Sequence, residues 1–77
     1  MTTATANQAV SDLEYDLLTV LQNKAEALKA YEAYIKDAES IGSHPCADLF
    51  RKLQQSDLEQ TQEIRHHLQQ VLQNGKM

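Results

Sequence analysis

Hydrophobic residues recur at alternating spacings of four and three along two long segments of the chain, a pattern typical of amphipathic helices. The first segment contains neither glycine nor proline and ends at a turn sequence, IGSHPC, at residues 41–46. The second segment continues from that turn to Gly75. Ala, Leu, Gln, Glu and Lys dominate both segments, and β-branched residues are sparse, which favours helix over strand. The sequence therefore predicts an all-α protein with two helices.

Helix 1 is predicted from about residue 11 to about residue 41, after a loose polar arm at residues 1–10. Ser11 and Glu14 have the spacing of a capping box, and Gly42 suits the left-handed position just past a helix end. The predicted core stripe consists of Leu17, Leu21, Lys24, Leu28, Tyr31, Ile35 and Ala38, broadened by Leu18, Ala25, Ala27 and Tyr34.

Helix 2 is predicted from about residue 45 to about residue 74, with residues 75–77 as a tail. Ser43 or His44 can cap it, and Pro45 suits its first turn because the amide hydrogen missing from proline is not needed there. Its predicted stripe consists of Cys46, Phe50, Leu53, Asp57, Gln60, Ile64, His67 and Val71, with Leu49, Leu68 and Leu72 beside it.

Two helices of matched length joined by a turn at residues 42–44 predict an antiparallel hairpin. A hairpin covers only one side of each broad stripe, so we expect two hairpins to form a homodimeric four-helix bundle about a two-fold axis. Residues 1–43 hold seven acids and three bases, whereas residues 44–77 hold four of each, so helix 1 should avoid a second helix 1.

Polar residues interrupt both stripes, and a lone charge in a core costs several kcal/mol unless it is paired. In a hairpin that turns near residue 43, Lys24 lies within a few turns of Asp57 and Gln60, with Tyr31 between them. The sequence therefore predicts a buried polar cluster of these four residues. The alternative is that Lys24 and Asp57 reach solvent from the edges of the stripes.

The spacing Tyr31-x6-Ala38-x3-Gly42-x7-Phe50 resembles one helical hairpin of the rubrerythrin branch of the ferritin-like superfamily. The resemblance covers residues 17–72 and implies a ferritin-like four-helix bundle built from two hairpins. In that family a Glu seven residues before the Tyr, and a Glu-x-x-His beginning seven residues after the Phe, are ligands of a di-iron site.

All of these ligand positions differ in this chain. Lys24 stands at the first, and Asp57 and Gln60 stand at the Glu-x-x-His positions. An ammonium cannot replace an anionic ligand, and Gln60 offers only a weak oxygen donor. The resemblance thus implies the fold without the iron chemistry, and we expect no bound metal and no cofactor.

A displaced metal site is the alternative, because Glu63 and His66 form a Glu-x-x-His of their own and Glu32 lies on helix 1. Arg65 falls within the same turn, and the motif lies almost two turns beyond the family's ligand positions. A solvated helix face explains these residues better, since chance Glu-x-x-His sequences are common in helices.

For covalent catalysis the chain offers only Cys46, near the start of helix 2 and close to His44. A small buried thiol is the favoured interpretation of Cys46, with His44 exposed or a cap. No phosphate-binding loop or catalytic triad is recognisable, so we expect a protein that is not an enzyme.

The formal net charge of −4 and the pI near 5.1 argue against nucleic acid and anionic membranes as partners. The absence of a signal-peptide pattern and the single cysteine indicate a cytoplasmic location. The sequence thus predicts a self-associating structural or protein-interaction module, and leaves any further protein partner open.

Overall fold

The structure, a computed structural model, describes residues 9–77. In this range the chain forms two helices and no strand, with α1 at Asp12–Ser40 and α2 at His44–Asn74. The helices fold back on each other as an antiparallel hairpin, which confirms the all-α architecture predicted from the pattern. The arm predicted at residues 1–10 lies outside the described residues, apart from residues 9 and 10.

The ends of α1 are set by the residues that the sequence singles out. The Ser11 hydroxyl accepts a hydrogen bond from the backbone N–H of Glu14, with 3.2 Å between Oγ and N. That bond satisfies one of the amides left unpaired at a helix start. After the helix, Gly42 has a φ of 74°, a left-handed conformation that glycine adopts without a steric penalty. The predicted boundaries of α1 are therefore correct to one residue.

The ends of α2 are also determined by residues at the ends themselves. Ser43 is the N-cap residue without a side-chain hydrogen bond, His44 is the first helical residue, and Pro45 lies in the first turn. At the other end Gly75 has a φ of 79°, and its N–H donates to the carbonyl oxygen of Val71 at 2.7 Å. This glycine closes the helix in the manner of a left-handed cap.

The seam between the helices consists of the buried and half-buried residues that recur at spacings of three and four. On α1 these are Leu17, Leu21, Lys24, Leu28, Tyr31, Ile35 and Ala38, as predicted. On α2 they are Ala47, Phe50, Gln54, Asp57, Thr61, Ile64, Leu68 and Val71. Both sets follow the heptad spacing of antiparallel coiled helices.

The best-buried part of the seam lies next to the turn. Ile35, Ala38 and Ala47 form a cluster, and the half-buried Phe50 packs against it. Ala47 has no exposed surface at all. Val71 is buried at the far end of α2. We call the group of Ile35, Ala38, Ala47 and Phe50 the turn-proximal core.

The stripe predicted for α2 is wrong at three positions. Cys46, Leu53 and Gln60 are exposed, and the expected burial of the Cys46 thiol is not found. The residue that follows each of them, at positions 47, 54 and 61, faces α1 instead. Two successive residues of α2 lie on opposite sides of the line along which it contacts α1, so either could face α1. In the structure the small side chain of Ala47, not that of Cys46, faces α1.

Candidate functional site

Four polar side chains meet in the middle of the seam, and we call them the polar cluster. The Lys24 ammonium donates to Asp57 Oδ1 at 3.1 Å and to Gln60 Oε1 at 2.7 Å. The Tyr31 hydroxyl donates to Asp57 Oδ2 at 3.2 Å. Both carboxylate oxygens of Asp57 are therefore engaged by side chains of α1. These are the four residues that the sequence predicts to lie together.

The polar cluster is half-buried, which corrects the buried environment expected for it. The side chains of Lys24 and Asp57 keep 29% and 17% of their surface exposed, and Gln60 is exposed. None of the described residues is a fully buried polar or charged residue. Partial access of water lowers the cost of desolvating the ion pair, and it also weakens the attraction between the two charges.

The hydroxyl of Tyr31 is held in its neutral form. Desolvation is the main cause that raises the pKa of Tyr31 above its ordinary value, and the hydrogen bond to Asp57 and the negative charge of that carboxylate add to it. A phenolate at this point would face the Asp57 carboxylate at hydrogen-bond distance. Tyr31 therefore serves as a hydrogen-bond donor at neutral pH.

The donor set of the polar cluster does not suit the di-iron centre that the ferritin-like family builds at these positions. The Lys24 ammonium lies among the oxygen atoms of Asp57 and Gln60, where a metal would have to bind. A divalent cation would face a fixed positive charge and a single carboxylate. The chemistry of this arrangement is that of an ion pair supported by hydrogen bonds.

The residues of the displaced metal site are not brought together within one chain. Glu32 accepts a hydrogen bond from Gln54 at 3.0 Å. Glu63 and His66 lie further along α2, about 13 Å and more beyond Gln54 at a rise of 1.5 Å per residue. Nowhere in residues 9–77 do three or more His, Cys, Asp or Glu side chains form a group that could hold a metal ion.

Cys46 and His44 do not form a reactive pair in the described contacts. Cys46 is a free, exposed thiol in the first turn of α2, and His44 is exposed at the start of the same helix. Neither lies in the grooves found on the surface. Their arrangement does not indicate catalysis.

An open groove of about 460 Å³ lies beside the polar cluster. It is lined by Leu17, Val20, Lys24, Gln60, Glu63, Ile64 and His67. His67 Nδ1 lies 2.9 Å from the carbonyl oxygen of Glu63, a contact in which Nδ1 carries the hydrogen. The groove is open to solvent along the hairpin, a shape that favours contact with another surface over the enclosure of a small substrate.

The hairpin has two flanks, one on each side of the seam. Each flank consists of the residues that lie directly beside the seam residues in the heptad pattern. In an antiparallel pair the corresponding positions of the two helices meet on the same side. The ring contact of Tyr34 with Phe50, at 5.8 Å between centroids, marks one side. The ion pair of Arg51 with Glu39, at 2.6 Å, marks the other.

One of these, the uncharged flank, contains no Asp, Glu, Lys or Arg. It consists of Leu13, Val20, Ala27, Tyr34 and Ile41 on the α1 side and Cys46, Leu53, Gln60, His67 and Asn74 on α2. The five large apolar side chains in this set are all substantially exposed, from 41% for Leu53 to 81% for Ile41. Leu49, exposed on α2 and not far from Leu53 in the sequence, adds a further apolar side chain.

The other, the charged flank, has charges at half of its positions. It consists of Leu18, Ala25, Glu32 and Glu39 on α1 and Arg51, Leu58, Arg65 and Leu72 on α2. The hydrophobic pattern alone does not reveal this asymmetry, because it places Cys46, Leu53 and Gln60 in the stripe. Assigning heptad positions to both helices would reveal it.

Comparison of the chain with models of known protein families, with curated proteins and with solved structures gives no match. The ferritin-like resemblance therefore stays a prediction that depends on residue spacing. Neither helix has the combination of length and apolar character needed to cross a membrane, as far as residues 9–77 are concerned.

Proposed function

We propose that the protein is a non-enzymatic, self-associating helical module with a structural or protein-interaction role, in which two hairpins form a four-helix bundle. The observation that carries this proposal is the imbalance between buried and exposed apolar residues. Four residues of the described chain are buried, Ile35, Ala38, Ala47 and Val71, whereas eleven large hydrophobic side chains are exposed. A second copy would remove many of those side chains from water.

The small size of the chain supports the proposal that it self-associates. A chain of 77 residues buries only about 60% of its unfolded surface when it folds alone, so its stability is marginal. Two helices form one seam and cannot enclose a continuous core along their length, whereas four helices can. A two-fold dimer is the commonest solution among soluble oligomers.

The polar cluster has a structural role in this proposal. The hydrogen bonds from Lys24 on α1 to Asp57 and Gln60 on α2 depend on the relative rotation of the two helices. Polar groups in helical seams are known to specify register at some cost in stability. The cluster would therefore select one packing of the hairpin, which then presents one defined surface to a partner.

Two further parts of the proposal depend on the sequence alone. Ferritin-like descent is supported by the spacing of Tyr31, Ala38, Gly42 and Phe50, and a cytoplasmic location is supported by the single cysteine. The self-association argued from the exposed side chains does not depend on either of them.

The direct test is the molar mass of the full chain by sedimentation equilibrium over a range of micromolar concentrations, together with metal analysis of the same sample. We expect twice the 8.7 kDa of one chain, and no stoichiometric metal. A helical 8.7 kDa monomer at all concentrations would refute the proposal. About one metal ion per chain, lost in Glu63→Ala or His66→Ala, would establish the metal-binding alternative.

A further inference from the structure

We infer that the second copy docks on the uncharged flank, and that the turns of the two hairpins lie at the same end of the bundle. This inference rests on the proposed function, because it names the face and the orientation of the self-association. In this contact the exposed side chains of Tyr34, Ile41 and Leu53, which lie in the half of the flank near the turn, pack against the same half of the second copy.

Charge selects the uncharged flank over the charged one. A two-fold contact places each residue against a different residue of the second copy, and any charges on the contact face have to be desolvated. Docking through the charged flank would cover Glu32, Glu39, Arg51 and Arg65, whose ion pair and hydrogen bond are now solvent-accessible. The ten positions of the uncharged flank carry no formal charge. The charges that line the groove beside it are Glu63 and Lys24, and Lys24 is already paired with Asp57.

The size of the flank agrees with the requirement of a stable dimer. It extends from Leu13 to Ile41, about 42 Å at 1.5 Å per residue, and two adjacent helices are about 20 Å wide. The product is about 800 Å² per copy, close to the contribution of each partner to a standard specific interface. A second copy of the same length can cover this face along its whole extent.

The distribution of apolar residues selects the orientation. In the half of the flank near the turn, α1 supplies Tyr34 and Ile41 and α2 supplies Cys46 and Leu53, none of them strongly polar. In the far half, α1 supplies Leu13, Val20 and Ala27, and α2 supplies the polar Gln60, His67 and Asn74. With the turns together, one end of the contact is free of amide and imidazole groups on all four helices, and those groups are covered only at the other end. With the turns apart, amide and imidazole groups would be covered at both ends of the contact.

The charges of the helices favour the same orientation. α1 holds seven acids and three bases, whereas α2 holds four acids and three bases. A two-fold axis parallel to the helices places the turns together, and it sets α1 of one copy against α2 of the other. The turns-apart arrangement sets α1 against α1, the pair with the larger repulsion.

The inferred orientation differs from that of the ferritin-like bundle. That fold has a single long crossover between its two hairpins, which makes the second and third helices parallel and places the hairpin turns at opposite ends. If the turns of this dimer lie together, the resemblance extends to the hairpin and not to the way in which two hairpins assemble.

The face is tested by a matched pair of substitutions, Leu53→Gln on the uncharged flank and Leu58→Gln on the charged flank. Both leucines lie on α2, with 41% and 42% of their surface exposed. Each dimer carries the substitution twice. We expect Leu53→Gln to raise the dimer dissociation constant about tenfold or more and Leu58→Gln to change it less than about threefold. Equal effects, or the reverse order, would overturn the choice of face.

The orientation is tested by cross-linking through Cys46, the one cysteine of the chain, with a bifunctional maleimide that can reach across the bundle. Turns together place the two thiols at the same end of the bundle, whereas turns apart separate them by about 40 Å. We expect a covalent dimer of the unaltered protein. Leu13→Cys in a Cys46→Ser background should also cross-link to itself, from the far end of the same flank.

The matched control is Leu72→Cys in the same Cys46→Ser background, because Leu72 lies near the far end of α2 on the charged flank. It should cross-link slowly or not at all. In a mixture of unaltered protein and the Leu13→Cys variant, cross-links only between unlike chains would show that the turns are apart. That result, or self-linking by Leu72→Cys alone, would overturn the inference while a dimeric mass still upholds the proposed function. A monomeric mass would refute both.

Discussion

The turn-proximal core and the polar cluster occupy neighbouring parts of one seam and hold the helices together in different ways. In the turn-proximal core, Ile35, Ala38 and Ala47 have at most 7% of their surface exposed. In the polar cluster, Lys24 and Asp57 keep 29% and 17% of their side chains in contact with water. Burial of apolar surface stabilises the first region, whereas directional bonds select the geometry of the second.

The position of the polar cluster in the seam explains why the apolar core of a single hairpin is small. The polar cluster occupies the middle of the seam, so the apolar cluster near the turn does not extend continuously to Val71 at the far end. Stability that a longer seam core would supply has to come from elsewhere. In the proposed dimer, the exposed side chains of the uncharged flank would supply it.

The largest effect is expected from Ile35→Ala in the turn-proximal core. Removing a nearly buried isoleucine side chain should lower the free energy of unfolding by about 2–5 kcal/mol, because apolar burial is lost and a cavity remains. Leu72→Ala, at a side chain with 60% of its surface exposed, should change it by less than about 0.5 kcal/mol. Urea unfolding of both variants measures the difference. Similar losses would show that the turn-proximal core is not the main source of stability in the seam.

A smaller effect is expected in the polar cluster, from a double-mutant cycle of Lys24→Met and Asp57→Leu. We expect a coupling energy of about 1–2 kcal/mol, because hydrogen bonds between charged groups are strong but water still reaches the pair. A fully buried pair would lose about 3–5 kcal/mol when one partner is removed. Thermal or urea unfolding of the four proteins in the cycle gives the value.

The exposed pair of Arg51 and Glu39 is the control for that cycle. Its N···O distance of 2.6 Å is shorter than the 3.1 Å between Lys24 and Asp57, but its side chains are 48% and 49% exposed. Solvent screening should hold its coupling below about 1 kcal/mol. A larger coupling energy for Arg51 and Glu39 than for Lys24 and Asp57 would show that a short distance matters more than burial. The polar cluster would then not owe its coupling to its place in the seam.

The smallest effect is the alkaline titration of Tyr31. Because the folded-state pKa of Tyr31 is raised above that of the unfolded chain, its contribution to stability is present below about pH 10 and is lost as the pH rises through the folded-state pKa. Tyr31→Phe should remove this part of the loss of stability at alkaline pH. In Asp57→Leu the phenol of Tyr31 should ionise at a lower pH than in the unaltered protein, as measured by phenolate absorbance. An unchanged titration in Asp57→Leu would exclude the carboxylate as a cause.

The helix boundaries are predictable from the sequence because they depend on local chemistry. Ser11, Gly42, Pro45 and Gly75 act through backbone conformation and hydrogen bonds within a few residues, and the observed ends agree with the predicted ones to one residue. The polar cluster is predictable for a related reason. The position of the turn fixes which residues of the two helices lie at the same height.

The rotation of α2 is not predictable from its hydrophobic pattern. Leu53 and Gln54, or Gln60 and Thr61, are neighbouring candidates for the seam, and Phe50, Asp57, Ile64 and Val71 fit either choice. The decision comes from packing against the other helix, where Ala47 fits and Cys46 is left outside. That rotation is also what creates the uncharged flank, so the candidate interaction surface depends on tertiary structure.

The concentration dependence of thermal unfolding tests the central claim most directly, namely that a second copy completes the core of this hairpin. If folding and dimerisation are coupled, raising the protein concentration a hundredfold should raise the Tm by about 5–10 °C, because mass action favours the folded dimer. Circular dichroism of the unaltered chain measures it. A Tm that is the same at both concentrations, with full helix content at the lower one, would show that the hairpin is stable alone and would contradict the account.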